Sequence, residues 1–498
     1  MYYRKNNKQS FRGVKVSSDK VIKAGIGYTI GNYLLKGLSF LSVPVFSKLL
    51  STTEYGRYST FVAYEAILFV LIGAAIHSSY KNARYKYGTM EDENVPPGED
   101  YHSFVSATIL FEVISFVVWL MLINALGPFL SKWLGLDQLS LNLLVIYSFS
   151  TAVLTCFNTD IAIRYQYKSF LTIAGINAVG NILLSVLLIL TIFNSDRYMG
   201  RIIGTALPIF LIAVYIIWYY WRNRRPGHMK SFLRWGLSYS LPIVPHGISQ
   251  VILARFDVIM ITRMIGEHES GIYSFAYNIF MIVSVTMSSL ESVWGPWFYE
   301  RMHEKSYEAI RKYSSYYILG IAVFSSLLIL LGPELIFIMS LGSGKYAASV
   351  YCTIPIIAGG FFAFLYNLPA NVEYYHEKTK FIALGTTLAA IINIVLNAIF
   401  IPRYGYVAAA YTTLVTYALY FLFHYYLYRH IEKEKIYSVK AIVLSIIVVM
   451  LAGGVSLMTI QIPILRIALA AFMAAGVLLY FEKTMKISAF IRKRLHRN

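Results

Sequence analysis

SYSLPIVPHGISQVILARFDVIMITRMIGEHESGIYSF, residues 238–275, has an earlier copy in the same chain. Moved back by 215 positions, it overlies GNYLLKGLSFLSVPVFSKLLSTTEYGRYSTF, residues 31–61, without a gap. Glu269 falls on Glu54, Gly271 on Gly56, Tyr273 on Tyr58 and Ser274 on Ser59. Arg263 falls on Lys48, and Met264 and Ile265 fall on Leu49 and Leu50. Each copy reads as a long apolar helix, a short polar turn with glycine, and the start of a second apolar helix. Two more pairs follow in the same order. Leu-Gly-Pro at 126–128 recurs at 331–333, and Lys168 with Asn181 recurs as Lys380 with Asn393. Three collinear pairs indicate an internal duplication running in one direction.

The 498 residues are 57% hydrophobic and only 14% charged, against about 25% charged in a soluble domain. Continuous apolar runs of roughly 20 residues, the length that spans a bilayer, recur along the chain. The fold class is therefore all-α, polytopic and membrane-spanning. Alternating strands of a transmembrane barrel do not fit such runs. Helices are expected at about 24–50, 57–79, 103–124, 139–163, 169–193 and 199–221. They continue at about 237–264, 271–293, 313–341, 346–372, 379–401, 405–428, 438–459 and 461–481, some fourteen in all.

The duplication divides these spans into two six-helix lobes, residues 24–221 and 237–428, joined by a linker at 222–236. Residues 438–481 add two helices with no counterpart in either repeat. A basic arm at 1–23 and a basic tail at 482–498 flank them, and no cleaved signal peptide is expected. With both termini cytoplasmic, Lys and Arg collect in alternate connections, among them Lys81, Arg84, Arg222, Arg224, Arg225 and Lys230. The net charge of +19 is thus a topology signal of the positive-inside kind, not a nucleic-acid footprint. Only KTMKISAFIRKRLHRN, as a basic amphipathic helix, suggests contact with anionic membrane lipid headgroups.

Chemistry is hard to place here. The outward loops are short, which disfavours a membrane glycosyltransferase or polymerase needing catalytic carboxylates outside the bilayer. Gly342-Ser-Gly-Lys345 lacks the upstream glycine of a phosphate-binding loop. Cys156 and Cys352 sit in apolar helices without metal or disulfide spacing. No cofactor, metal site or catalytic residue is expected.

What remains is ionisable groups at bilayer depth, each costing roughly 2.5–3.5 kcal/mol to insert. Lys36 and Arg255 stand in the first helix of each repeat, and neither has a carboxylate one turn away. Under the 215-residue shift Lys36 falls on Val251, one turn from Arg255. The two cations could thus converge on one cavity near the midplane and hold a diphosphate, Arg as a fork and Lys as a point charge. The alternative is interhelical pairing, for example Lys36 with Glu65. Asp257, Glu65 and Glu112 are candidates for coupling to H⁺ or Na⁺, or else partners of those cations. Tyr33, Tyr64 and Tyr277 could stack on sugar faces. Pro242 and Pro245 should bend the seventh helix and could form a gate hinge.

The chain resembles the polysaccharide (O-antigen type) flippases of the MATE-like, or MOP, superfamily. The resemblance is carried by SVPVFSKLLSTTEYGRYS (42–59), Asp257 with EHESGIYSFAYNIF (267–280), SVWGPWFYE (292–300) and INIVLNAIFIPRYGYVAAAYTTL (392–414). It implies two six-helix lobes around a central cavity, rocking between inward-open and outward-open states, with two extra C-terminal helices. It also implies an undecaprenyl-diphosphate-linked oligosaccharide as cargo in a bacterial cytoplasmic membrane, with polysaccharide polymerase machinery as a partner. An ion-coupled exporter of drugs or organic cations from the same superfamily is the rival reading, and a lipid II flippase differs in cargo only.

Overall fold

The computed structural model describes residues 18–88, 98–223 and 228–485. Residues 1–17 of the basic arm, most of the acidic loop at 91–100 and residues 486–498 of the tail lie outside these. Among the described residues the chain is helical, with no strand. Among the described residues twelve helices are long and apolar enough to cross a membrane, and a thirteenth span arises if Thr52–Gly73 and Ile76–Tyr87 are joined across a 52° bend. The first helix, α1 (Ser18–Leu49), is 32 residues long but less apolar. Asn32, Lys36, Ser39 and Ser42 recur along it every three or four residues, giving it a polar face.

The first lobe continues with α2 (Thr52–Gly73), α3 (Tyr101–Ala125), α4 (Gln138–Ile163), α5 (Tyr167–Thr191) and α6 (Arg197–Asn223). The second comprises α7 (Met229–Met264), α8 (Glu267–His303), α9 (Tyr307–Leu330), α10 (Val350–Tyr375), α11 (Thr379–Tyr404) and α12 (Val407–Ile431). Then come α13 (Val439–Met458) and α14 (Pro463–Met485), which pack on α9. The Arg466 guanidinium ties α14 to Glu334.

The repeat is visible in the helix starts. Helix α2 begins at Thr52 and α8 at Glu267, which the 215-residue shift superposes. Each Leu-Gly-Pro opens a separate eight-residue helix, Gly127–Leu134 and Gly332–Met339. Proline in the first turn gives up an N–H that has no partner there anyway. The second of these helices was expected inside one span at 313–341; the chain instead turns after Leu330, so α9 is shorter.

The lobes differ in two places. Helix α8 runs through 37 residues without a break, whereas α2 stops at Gly73 and the chain turns. Helix α7 starts earlier than expected, at Met229, and absorbs most of the anticipated linker. Its first part, Met229–Ser240, is amphipathic and lays Phe232 and Trp235 against Tyr87 and Phe104 of the first lobe. A 3-10 turn at Leu241–Ile243 follows, and Val244–Met264 then packs on α11 and α2. Pro242 lies within that turn and Pro245 in the first turn beyond it, where neither breaks an interior helix bond.

Candidate functional site: a cavity between the lobes

The lobes meet at the end that carries the Ser51 and Gly266 turns. Side-chain contacts cross there, among them Thr52 Oγ1 with His268 Nδ1 at 2.6 Å, Arg57 with Glu267 at 2.5 Å, Thr60 with Thr262 at 2.6 Å, and Asn278 to the Tyr55 hydroxyl at 2.9 Å. Beside this seam lies a cavity of about 610 Å³ walled by both lobes. The first lobe contributes Ser39, Ser42, Tyr55, Tyr58, Tyr147, Asn177, Asn181 and Arg201; the second contributes Arg255, Ser274, Tyr277, Asn278, Thr413 and Tyr417. Two arginines line it and, among the described residues, no carboxylate does.

The arginines are held differently. Arg201, on α6, is buried and anchored: its guanidinium donates to Asn181 and, at 2.9 Å, to Ser185 Oγ, and lies 3.7 Å from the Phe46 ring centroid and 4.8 Å from that of Tyr58. Arg255, on α7, is exposed to the cavity and has no hydrogen-bond or ion-pair partner among the described residues. A fixed fork and a free one therefore face the same space from opposite lobes.

A second polar group stands behind the wall in the other lobe. Asp257 is 1% exposed and accepts from Thr413 Oγ1 at 2.7 Å, Tyr273 at 2.6 Å and Asn397 Nδ2 at 2.7 Å. Asn393 joins through Thr413 and Asn397, both at 3.2 Å. The spacing that pairs Lys168 and Asn181 with Lys380 and Asn393 is 212, and it also pairs Ser185 with Asn397 and Arg201 with Thr413. Corresponding positions thus hold Arg201 and Ser185 in one lobe and, in the other, Thr413 and Asn397, which donate to the Asp257 carboxyl.

Of the residues singled out in the sequence, Arg255 and Tyr277 line the cavity. Lys36 stands outside its wall, with Nζ 3.5 Å from Ser288 Oγ and no ion pair to Glu65. Tyr33 is exposed and outside it; Tyr64 is buried, its hydroxyl donating to the Leu134 carbonyl at 3.1 Å. Glu65 and Glu112 are buried within the first lobe. The other intramembrane acids are partnered: Glu291 by Asn371, Glu373 by His424 and Glu334 by Arg466. Arg201 escaped the sequence reading because it sits near the start of its helix, where an arginine looks interfacial. The 212-residue pairing with Thr413 was the available signal.

The profile of the polysaccharide biosynthesis protein family matches residues 21–303, more than half of the chain. The Lsg locus protein 1 of Haemophilus influenzae is 20% identical over 389 residues, covering 75% of this chain and 90% of that protein. A second membrane protein of Haemophilus influenzae is 22% identical over 386 residues, covering 75% and 88%. The fold is that of the lipid II flippase MurJ in an inward closed conformation, with TM-score 0.62 and 15% identity over 92% of this chain and 100% of that one. An inward-facing MATE multidrug transporter of the MOP superfamily aligns with TM-score 0.56 and 14% identity, over 84% and 99%.

Proposed function

The chain belongs to the polysaccharide biosynthesis protein family, and on that premise we propose that it is a flippase for a polyprenyl-diphosphate-linked oligosaccharide. The cargo crosses the cytoplasmic membrane for surface polysaccharide assembly, its headgroup passing between the lobes while its lipid tail stays in the bilayer. The observation that carries this reading is the cavity wall, where Arg201 and Arg255 face one space and, among the described residues, no carboxylate lines it. Two guanidinia in a site of low dielectric favour a polyanion, and each can fork onto phosphate oxygens. The five tyrosines of the wall, Tyr55, Tyr58, Tyr147, Tyr277 and Tyr417, offer flat faces and hydroxyls to sugar rings. A wall of this sign disfavours export of organic cations.

Transport proceeds by alternating access. The seam at Ser51 and Gly266 opens as the lobes rock, and the hinge is the 3-10 turn at Leu241–Ile243, between the part of α7 that packs on the first lobe and the part that packs on both α2 and α11. Asp257, with Thr413, Asn393 and Asn397 around it, is the site for a coupling H⁺ or Na⁺. No step in this scheme makes or breaks a covalent bond.

The test is depletion of the protein in its own cell, followed by assay of the leaflet on which lipid-linked sugar accumulates. Build-up on the inner leaflet is expected. Normal passage to the outer leaflet would sink the proposal.

A further inference from the structure

Helices α2 and α8 start at equivalent positions and then part ways. Where α8 continues straight through Ser288–Ser292, α2 stops: Ala74 and Ala75 take positive φ of 45° and 51°, and the chain resumes as the 3-10 turn Ile76–Ser79 at a 52° bend. A helix halted inside a lobe leaves its last carbonyls without intrahelical donors and carries partial negative charge at that end. One of them, Ile72, is met by Ser115 Oγ at 2.8 Å.

Glu112, one turn before Ser115 on α3, faces the same end. A Cβ placed on Gly73 would lie 3.4 Å from one of its carboxyl oxygens and 3.8 Å from the other. Glu112 is 1% exposed. Its Oε1 has only the Cys156 thiol, at 3.7 Å, and its Oε2 has no partner. The titratable groups around it are that thiol, from α4, and the Tyr80 hydroxyl, which neighbours the thiol and itself bonds Thr108 at 2.6 Å. His77, in the turn after the break, makes no ion pair, and neither α6 nor Met229–Ser240 brings a cation to Glu112 among the described residues.

An ionised Glu112 would be desolvated, unpaired and set against the negative end of a half-helix, three penalties of one sign. We infer that Glu112 is a proton-binding site, occupied as the carboxylic acid while α2 is broken, and that losing the proton works against the break. A proton fits better than a metal cation, because the thiol stands where an oxygen ligand would be needed. Beyond the break, Tyr87 packs on Phe232 and Trp235, with ring centroids 4.9 and 5.5 Å apart. A change of bend therefore moves the first part of α7, on the near side of the proposed hinge. Only this last consequence rests on the flippase reading; the proton site does not.

Infrared difference spectra of the full-length protein in liposomes, with pH stepped from acid to alkaline, test the inference. A protonated-carboxyl band is expected to fade as pH rises, to be absent in Glu112→Gln, to shift in Glu112→Asp and to persist in Glu65→Gln. Amide exchange across residues 74–79 should change over the same pH interval. Persistence of the band in Glu112→Gln, a band indifferent to pH, or its loss on adding Na⁺ at fixed pH would each overturn the proposal. A titrating Glu112 in a protein that fails to flip lipid would refute the transport reading and leave the proton site standing.

Discussion

Gly56 and Gly271, equivalent residues of the two repeats, lie at the crossing of α2 and α8, each against the backbone of the opposite lobe. A Cβ on Gly56 would stand 1.8 Å from the Glu267 carbonyl oxygen, and one on Gly271 would stand 1.9 Å from that of Thr52. Thr52 and Glu267 are themselves equivalent, so the seam is a local twofold contact between copies of one turn. Gly56→Ala or Gly271→Ala should disfavour this closed seam by about 1–3 kcal/mol, roughly a 5- to 150-fold shift in population. Distances between spin labels on the Ser51 and Gly266 turns should lengthen in either variant.

The Arg57–Glu267 pair crosses the same seam but is 43% and 32% exposed. Pairs of this kind contribute about 0–1 kcal/mol and weaken with salt. Arg57→Ala should therefore lengthen the same label distance less than either glycine variant, and added salt should erase the difference. Exchanging the charges, Arg57→Glu with Glu267→Arg, should restore the wild-type distance.

Arg201→Ala and Arg255→Ala should each reduce lipid translocation about ten- to a hundredfold, the worth of one charge-assisted hydrogen bond at about 1.5–3 kcal/mol. Lysine at either position should recover part of the rate, since it keeps the charge and loses the fork. Lys36→Ala, outside the cavity wall, should cost less than either. Reconstituted vesicles with matched amounts of inserted protein are the assay. Equal losses for all three alanine variants would contradict a site centred on Arg201 and Arg255.

Asp257→Asn should uncouple transport from the ion gradient. Asp257→Ala should in addition leave the donors from Thr413, Tyr273 and Asn397 without their acceptor, at about 1–3 kcal/mol for a buried unsatisfied group. Thermal unfolding in detergent separates the two variants: alanine should lower the midpoint more than asparagine.

Ala74 and Ala75 adopt the left-handed conformation that costs a residue with a Cβ about 1–2 kcal/mol. Ala75→Gly should stabilise the protein by up to about 1 kcal/mol, after the larger unfolded-state entropy of glycine is counted. Ser289→Gly, at the position of unbroken α8 equivalent to Ala74, should destabilise it by about 0.5 kcal/mol instead. Paired melting curves would show opposite signs.

The sequence alone determined the membrane class, the duplication and the two added helices, because apolar runs and their period follow from composition along one helix at a time. It also offered Lys36, Arg255, Asp257, Glu65 and Glu112 as candidates beside Tyr33, Tyr64 and Tyr277, since a charge inside an apolar run is a local irregularity. Tertiary structure decided which of these share a space. Under the 215-residue shift Lys36 and Arg255 fall one turn apart on equivalent helices, yet only Arg255 reaches the cavity, because the direction of a side chain depends on how its helix is rotated against its neighbours. Arg201 entered the site, and α2 broke beside Glu112 while α8 ran straight, for the same reason. Both depend on contacts between helices far apart in the chain, and no window along a single helix contains them.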